Sequence, residues 1–419
     1  MKMVLARKSL WNRRGTVFLT LISLTISVAL LLGIDHLRKE ARNSFSQTIS
    51  GTDLIIGARA GSTNLLLYSV FRIGNPTNNI TWQSYQDIAR QSAVEWTIPI
   101  TLGDTHRGYR VIGTNNDYFE YFRYGRTNNL TFARGGPFTG LFDAVVGAEV
   151  ARALGYSLGD QVVINHGGGS VSFVNHGDLP FTITGILAPT GTPVDQSVHI
   201  SLEAWEAIHI GWETGMPGRT PSPEEILAMD PDRLQPDQLT AFFVGVRSPV
   251  QTFALQRAVN NYRSEPLQAV LPGVALSELW QMIGMVENVL LLIALLVLIA
   301  TLIGMTTTLL ASMRERQREM AILRALGASP WLIFMLIELE VLLITLLGLL
   351  LGSVLLWFSV TVAQPMLVNE FGLFISTQVW QPYTLYYGAG VLGLALLLGL
   401  MPALVAYRRA LADGLAVTR

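Results

Sequence analysis

Cysteine is absent from all 419 residues, which excludes disulfides, thiol nucleophiles and cysteine-ligated metals. A domain lying outside the cytoplasm must therefore rely on its own core. Lysine is scarce as well: Lys2, Lys8 and Lys39 are the only three, and none follows a glycine. A phosphate-binding P-loop needs G-x-x-x-x-G-K-[ST], because backbone amides and the lysine hold the phosphates together. The chain cannot be its own ATPase. Neither G-x-S-x-G nor H-E-x-x-H occurs, and no serine–histidine–acid set can be placed geometrically, so an enzyme reading has no support. Charged residues are only 14%, against 50% hydrophobic ones, and the net charge of −1 offers no basic field for nucleic acid. With mean hydropathy +0.40 the chain is too apolar for an ordinary soluble protein and too polar for membrane helices alone. Several spans plus one sizeable soluble domain fit that balance.

Four long apolar runs are present. Gly15 to Ile34 is 20 residues without a charge, enough to cross ~30 Å of hydrocarbon. A signal peptide is the alternative, but the run exceeds a usual apolar core, and Asp35-His36-Leu37-Arg38-Lys39 follows it in place of an A-x-A-like site. The first span is placed at 15–34, and the others are expected at 279–311, 331–362 and 383–407. Basic residues set their direction. Lys2, Arg7, Lys8, Arg13 and Arg14 lie in an amphipathic N-terminal segment, 1–14; Arg314, Arg316, Arg318 and Arg324 in 312–330; Arg408, Arg409 and Arg419 in the tail, 408–419. The connection 363–382 has neither Lys nor Arg. By the positive-inside rule both termini and 312–330 are cytoplasmic, while 363–382 is outside. Residues 35–278 then lie outside too, since long domains translocate largely regardless of charge.

Two helices are expected to outreach the bilayer. With Ser277 as N-cap, nothing but tolerated glycines interrupts Glu278 to Leu310, 33 residues or ~50 Å. The first span continues through Arg42 in good helix formers. Two such extensions side by side make a stalk; tilting of over-long helices is the alternative, opposed by the charges from Arg38 to Arg42.

The outer region reads as α+β, inserted between helices 1 and 2 of a four-helix membrane protein. Thr81 is placed to cap a helix running through Gln91, and Asp143–Gly147 predicts a short buried strand before a helix, Ala148–Leu154, stopped by Gly155. Gln161–Ile164 and Ser170–Val174 flank three glycines as a hairpin, Phe181–Leu187 alternates as a strand, and Ser248-Pro249 opens a helix. Gly211 to Thr240, with five prolines and six acids, reads as an exposed insertion.

Candidate chemistry is sparse. His166 and His176 occupy equivalent places in Asn165-His166-Gly167 and Asn175-His176-Gly177, across the expected turn. They are weak metal candidates without a carboxylate partner, and ordinary loop histidines are the default reading for all six. Glu338 and Glu340 stand about two turns into the third span, where ionisable groups are expensive. Two residues apart on a helix, they point in different directions. Interhelical hydrogen bonding or nearness to the cytoplasmic face is preferred over an ion relay.

Met313 to Ala328 predicts a short helix with an apolar stripe of Met320, Leu323 and Leu326–Gly327 among arginines, ended by Gly327 and Pro330. The residues alone leave two uses open, docking of a partner protein and adsorption to lipid headgroups. The run from Glu315 to Ala328 (Glu-Arg-Gln-Arg-Glu-Met-Ala-Ile-Leu-Arg-Ala-Leu-Gly-Ala) resembles the coupling segment of MacB/FtsX-like (type VII) ABC transporter permeases. Glu340 precedes Gly348 by eight residues, as the family glutamate precedes its glycine. Val145-Val146-Gly147, Leu158-Gly159-Asp160, Gly185-Ile186-Leu187 and the N-terminal Ala6-Arg7-Lys8-Ser9-Leu10 are similar to further family segments. One departure is the tail, where Tyr407 to Leu415 lacks the family's proline.

The resemblance implies a permease subunit paired with a second copy, identical or paralogous, and with a cytoplasmic ABC ATPase that binds the ATP and Mg. By position, Arg316, Arg318, Glu319, Leu323, Arg324 and Gly327 would form the ATPase contact. Membrane lipid and a periplasmic or lipoprotein partner complete the expected company; the chain itself needs no cofactor. Two uses follow from the resemblance. One is export or extraction of a lipoprotein, lipid, peptide or antibiotic-like substrate; the other is activation of an envelope enzyme, with nothing transported.

Overall fold

The computed structural model describes residues 14–125, 127–166, 174–175, 179–211, 221–315, 322, 324–371 and 375–415. Four helices in it are long and apolar enough to cross a membrane: Arg14–Gln47, Pro272–Glu315, Pro330–Phe371 and Pro382–Leu415, here the first to fourth spans. The largest stretch of chain between them, after the first span, folds as an α+β domain. Together they form the expected architecture. Two compact units result. One holds the first span up to Glu40, Gly284–Pro365 and the chain from Ile375 onward. The other holds Ala41–Ile283 and the end of the third span from Met366.

The α+β domain is built on a mixed sheet whose main path has nine strands. In chain order these are β1 (Leu54–Ala58), β2 (Val94–His106), β3 (Tyr109–Thr114), β4 (Phe132–Gly135), β5 (Asp143–Val146), β6 (Phe181–Leu187), β7 (Ser197–Ser201), β8 (Ala241–Val246) and β9 (Leu267–Val270). Their spatial order is β9-β1-β8-β2-β3-β7-β5-β6-β4. The 13-residue β2 joins the two halves: its first part pairs with β8, its last part with β3. Arg107 and Gly108, both at positive φ, close the β2–β3 hairpin in two residues, a turn whose twist suits antiparallel strands. β3 with β7 and β5 with β6 are the parallel pairs. One core gathers Ile55, Leu65, Tyr118, Phe122 and Phe243; another gathers Val111, Val146, Phe181, Ile200 and Ile208.

Several local expectations match the structure. The strand Asp143–Val146, the helix Ala148–Leu154 and a left-handed Gly155 follow the expected order. Thr81 caps the helix Trp82–Ala89 by accepting from the Ser84 amide. Others need correction. Gln161–Val162 pairs with Phe181–Thr182, and the hairpin is formed instead by Asn165–His166 with Val174–Asn175. Ser248-Pro249 opens a 3-10 turn, Pro249–Gln251, ahead of the helix Thr252–Asn260, and the serine side chain makes no cap bond. The second span begins at Pro272, not after Ser277, because proline at the first helical position loses no helix hydrogen bond. The third helix passes through Pro365 to Phe371, into what was expected to be connection. The stretch 221–240 is not merely solvated. Ser222 forms a capping box over Pro223–Leu227, and Ile226, Leu234 and Leu239 are buried.

Candidate functional site

The expected ATPase contact falls largely outside the described residues: Arg316, Arg318, Glu319 and Leu323 are among those left out. Arg324 and Gly327 are described. Gly327 sits at φ 92°, its amide bonded to the Arg324 carbonyl at 2.9 Å, a left-handed helix stop that glycine adopts without a Cβ penalty. The third span restarts at Pro330, with Ser329 Oγ accepting from the Leu332 amide. The expected stop and restart are therefore both present.

Glu338 and Glu340 both lie on the third span, Pro330–Phe371. Glu340 is buried, while Glu338 Oε2 stands 3.3 Å from where a Cβ on Gly399 of the fourth span would lie. Glu338 Oε1 is buried without a hydrogen-bond partner among the described residues. The His166 side chain and all of His176 lie outside the described residues, and among those described no group of three His, Asp or Glu is placed to hold a metal.

None of the other four histidines is a loop residue; His209 ends the helix Leu202–His209. His199 lies on β7 and is fully buried against Tyr118 and Phe119, with Nδ1–H donating to the Val145 carbonyl at 3.2 Å. Burial, helped by the nearby Arg72 guanidinium, pushes its pKa down to about 3. His106, at the end of β2, bridges the Val163 carbonyl at 2.6 Å and Tyr156 Oη at 2.8 Å, and burial lowers its pKa as well. These two support the sheet as neutral imidazoles. His36 is buried on the first span.

The connections between helices are where the arrangement acquires mechanical content. Arg38 Nε on the first span meets Glu287 Oε2 on the second at 3.1 Å. One turn further along the first span and two turns away along the second, the Arg42 guanidinium lies 5.5 Å from the Trp280 ring centroid. Ser27 and Thr301 share a hydrogen bond of 2.8 Å lower on the same pair of helices. The start of the second span is itself part of the α+β domain: Ala275 is fully buried in its core, and Ser62 donates to Glu278. Sequence reasoning missed all of these pairs. Only Arg38 and Arg42 carried a signal, as charges directly beyond an apolar run.

Two family models match, in tandem. The MacB-like periplasmic core domain covers residues 17–262, and the FtsX-like permease C-terminal domain covers residues 291–411. The chain belongs to the MacB/FtsX family of ABC transporter permeases. Among solved structures, the permease is similar to the periplasmic region of MacB from Actinobacillus actinomycetemcomitans, at 12% identity over 57% of this chain and 94% of that one, with a TM-score of 0.35. It is also similar to the extracellular domain of the noncanonic ABC-type transporter YknZ from Gram-positive bacteria, at 13% identity over 52% and 98%, with a TM-score of 0.30. No curated protein matches the sequence. Membership and four apolar helices make the permease a multi-pass inner-membrane protein of a family that works with cytoplasmic ABC ATPases.

Proposed function

We propose that this permease relays force: a separate ATPase, loaded with ATP and Mg, docks on residues 312–330 in the cytoplasm, and the outer domain moves in response. The observation that carries the reading is the second span. It is a single helix of 44 residues, ~66 Å long, with Ala275 near its start in the outer-domain core. Near its other end Met313 packs with Ile333, Ile337 and Ala406 of the third and fourth spans. A rod seated in a hydrophobic core at each end carries displacement instead of absorbing it, since packed cores are not continuously deformable. The permease works as a pair with a second copy, identical or paralogous, and handles a lipoprotein, lipid, peptide or antibiotic-like substrate on the outer side.

The absence of cysteine makes the topology directly testable. Val250→Cys and Leu326→Cys place thiols at exposed positions, 85% and 80% accessible. An impermeant maleimide is expected to label the first in intact cells and the second only after permeabilisation; the opposite pattern overturns the scheme. Reversing both charges in Arg318→Glu/Glu319→Arg is expected to abolish co-purification of the ATPase with membrane insertion intact. Unchanged co-purification rejects the docking assignment. Purified from its membrane, the permease is expected to carry bound lipid or lipoprotein; a bound cell-wall hydrolase instead would turn the reading toward activation.

A further inference from the structure

The first span carries buried polar groups that the relay described above does not use. Asp35 and His36 are 2% and 1% exposed. Lys39 Nζ, one turn on, bonds Asp35 Oδ2 at 2.6 Å, and Tyr387 Oη of the fourth span donates to Asp35 Oδ1 at 3.0 Å. The same Lys39 Nζ lies 3.4 Å from the Tyr383 ring centroid and 5.6 Å from that of Tyr387. His36 Nε2–H donates to the Ser376 carbonyl at 2.8 Å, and Tyr383 Oη stands 3.5 Å from His36 Nδ1. The Ser376 amide in turn donates to Glu40 Oε2 at 3.3 Å. Apart from the Asp35–Lys39 bond, every one of these contacts ties the first span to the fourth span or to the link leading into it.

Their energetics favour a joint that stays shut. Stripping a buried carboxylate of its partners is strongly unfavourable, and the Lys39 ammonium against an aromatic face adds to the cost of separation. The contacts share residues, so they must fail together. At its opposite end the fourth span contributes Ala403, Ala406 and Ala410 to the cluster that holds Met313, Ile333 and Ile337, which flank the coupling segment in sequence. The fourth span is thus gripped near the coupling segment at one end and bolted to the first span at the other.

We propose that Asp35, His36 and Lys39, with Tyr383, Tyr387 and Ser376, form a permanent clasp that makes the first and fourth spans one rigid body. Its use rests on the force-relay reading: displacement of the fourth span is delivered to the first helix where that helix enters the outer domain. Its existence as a rigid joint does not depend on that reading.

The cysteine-free sequence allows spin labels to be placed cleanly. Leu37→Cys and Leu385→Cys occupy exposed positions of the first and fourth spans. In the full-length permease in nanodiscs, the interspin distance is expected to be single and narrow, and to change by no more than ~2 Å when ATPase, Mg and ATP are added. Asp35→Asn/Lys39→Met removes both charges together and is expected to broaden the distribution roughly twofold without any nucleotide. Tyr387→Phe, which loses only a hydroxyl, is expected to broaden it less, and reads the same joint should the double variant fail to fold. A broad distribution in the parent, an unchanged width in Tyr387→Phe and the double variant, or a large ATP-driven jump in the parent overturns the clasp. Replacing the Leu37 label by Val250→Cys separates the two ideas. A narrow clasp distance with no ATP-driven change at Val250 rejects the relay and leaves the clasp standing.

Discussion

In the α+β domain, Gly185 lies where a strand passes against the Gly136 carbonyl; in the membrane bundle, Gly348 and Gly352 lie where the third span crosses the first. A Cβ at Gly185 would collide with that backbone oxygen and come within 2.9 Å of Phe132. At Gly348 it would meet the end of the Leu24 side chain at 2.5 Å, and at Gly352 it would meet Val28 Cγ1 at 2.7 Å and the Thr25 carbonyl at 3.0 Å. Both regions use missing side chains for close approach, but the neighbours differ. Backbone in a sheet cannot yield without breaking its ladder, whereas at Gly348 the end of the Leu24 side chain can partly swing away and only at Gly352 does backbone, the Thr25 carbonyl, stand close. The reason lies in the solvent. The sheet domain gains its order by withdrawing Ile55, Phe181, Ile200 and Phe243 from water. Helices in lipid gain nothing that way, so small-residue contacts and a few polar pairs must choose their partners.

Four substitutions break or sharpen that contrast. The largest effect is expected for Gly185→Ala, ~3 kcal/mol or more, read as loss of the cooperative unfolding transition of the α+β domain and early proteolysis there. A nearly normal transition would mean that the strand has slack its geometry denies. Gly352→Leu is expected to cost about 2 kcal/mol and to lower the melting temperature in detergent, with insertion and topology unchanged.

Acid acts on one region through His199. Its native pKa of about 3 lies below the ordinary 6.5, so between these values the unfolded chain binds the proton and the native chain does not. The stabilisation is complete above pH 6.5 and declines as pH falls toward 3, by ~1.4 kcal/mol per pH unit for one fully affected group. His106, lowered in the same direction, adds to the slope. His199→Phe is expected to flatten this limb in pH-dependent melting of the full chain, and an unchanged slope would show that His199 titrates normally. The smallest effect is expected for Ser27→Ala, which removes the bond to Thr301: ~0.6 kcal/mol, measured by a double-mutant cycle with Thr301→Val. A coupling several times larger would give polar pairs in the bundle more weight than small-residue packing.

Much of this architecture was legible because it is written in runs and periods. Four apolar stretches announced four helices, and Val145-Val146-Gly147 followed by Ala148–Leu154 and Gly155 announced strand, helix and stop. Within the expected ATPase contact, Gly327 alone shows a geometry that its sequence context foretold. The failures have a common form. Gln161–Val162 chose Phe181–Thr182 over its nearer neighbour, and Ile226, Leu234 and Leu239 turned an acidic, proline-rich stretch inward. Pro272 begins a helix whose local sequence offers Ser277 as its cap. Each depends on a surface formed by residues far away in the chain, which composition and local spacing do not encode.

By itself, the sequence determined the number of spans and the α+β character of the domain between the first two. These follow from hydrocarbon thickness, helix rise and side-chain alternation, which act over one to twenty residues or so. The tertiary structure alone decided the strand order, the burial of His106 and His199, and the meeting of Asp35 and Lys39 with Tyr383 and Tyr387. Hydrogen bonds and ion pairs are short-ranged, so residues some 350 positions apart act on one another only after the intervening chain has folded.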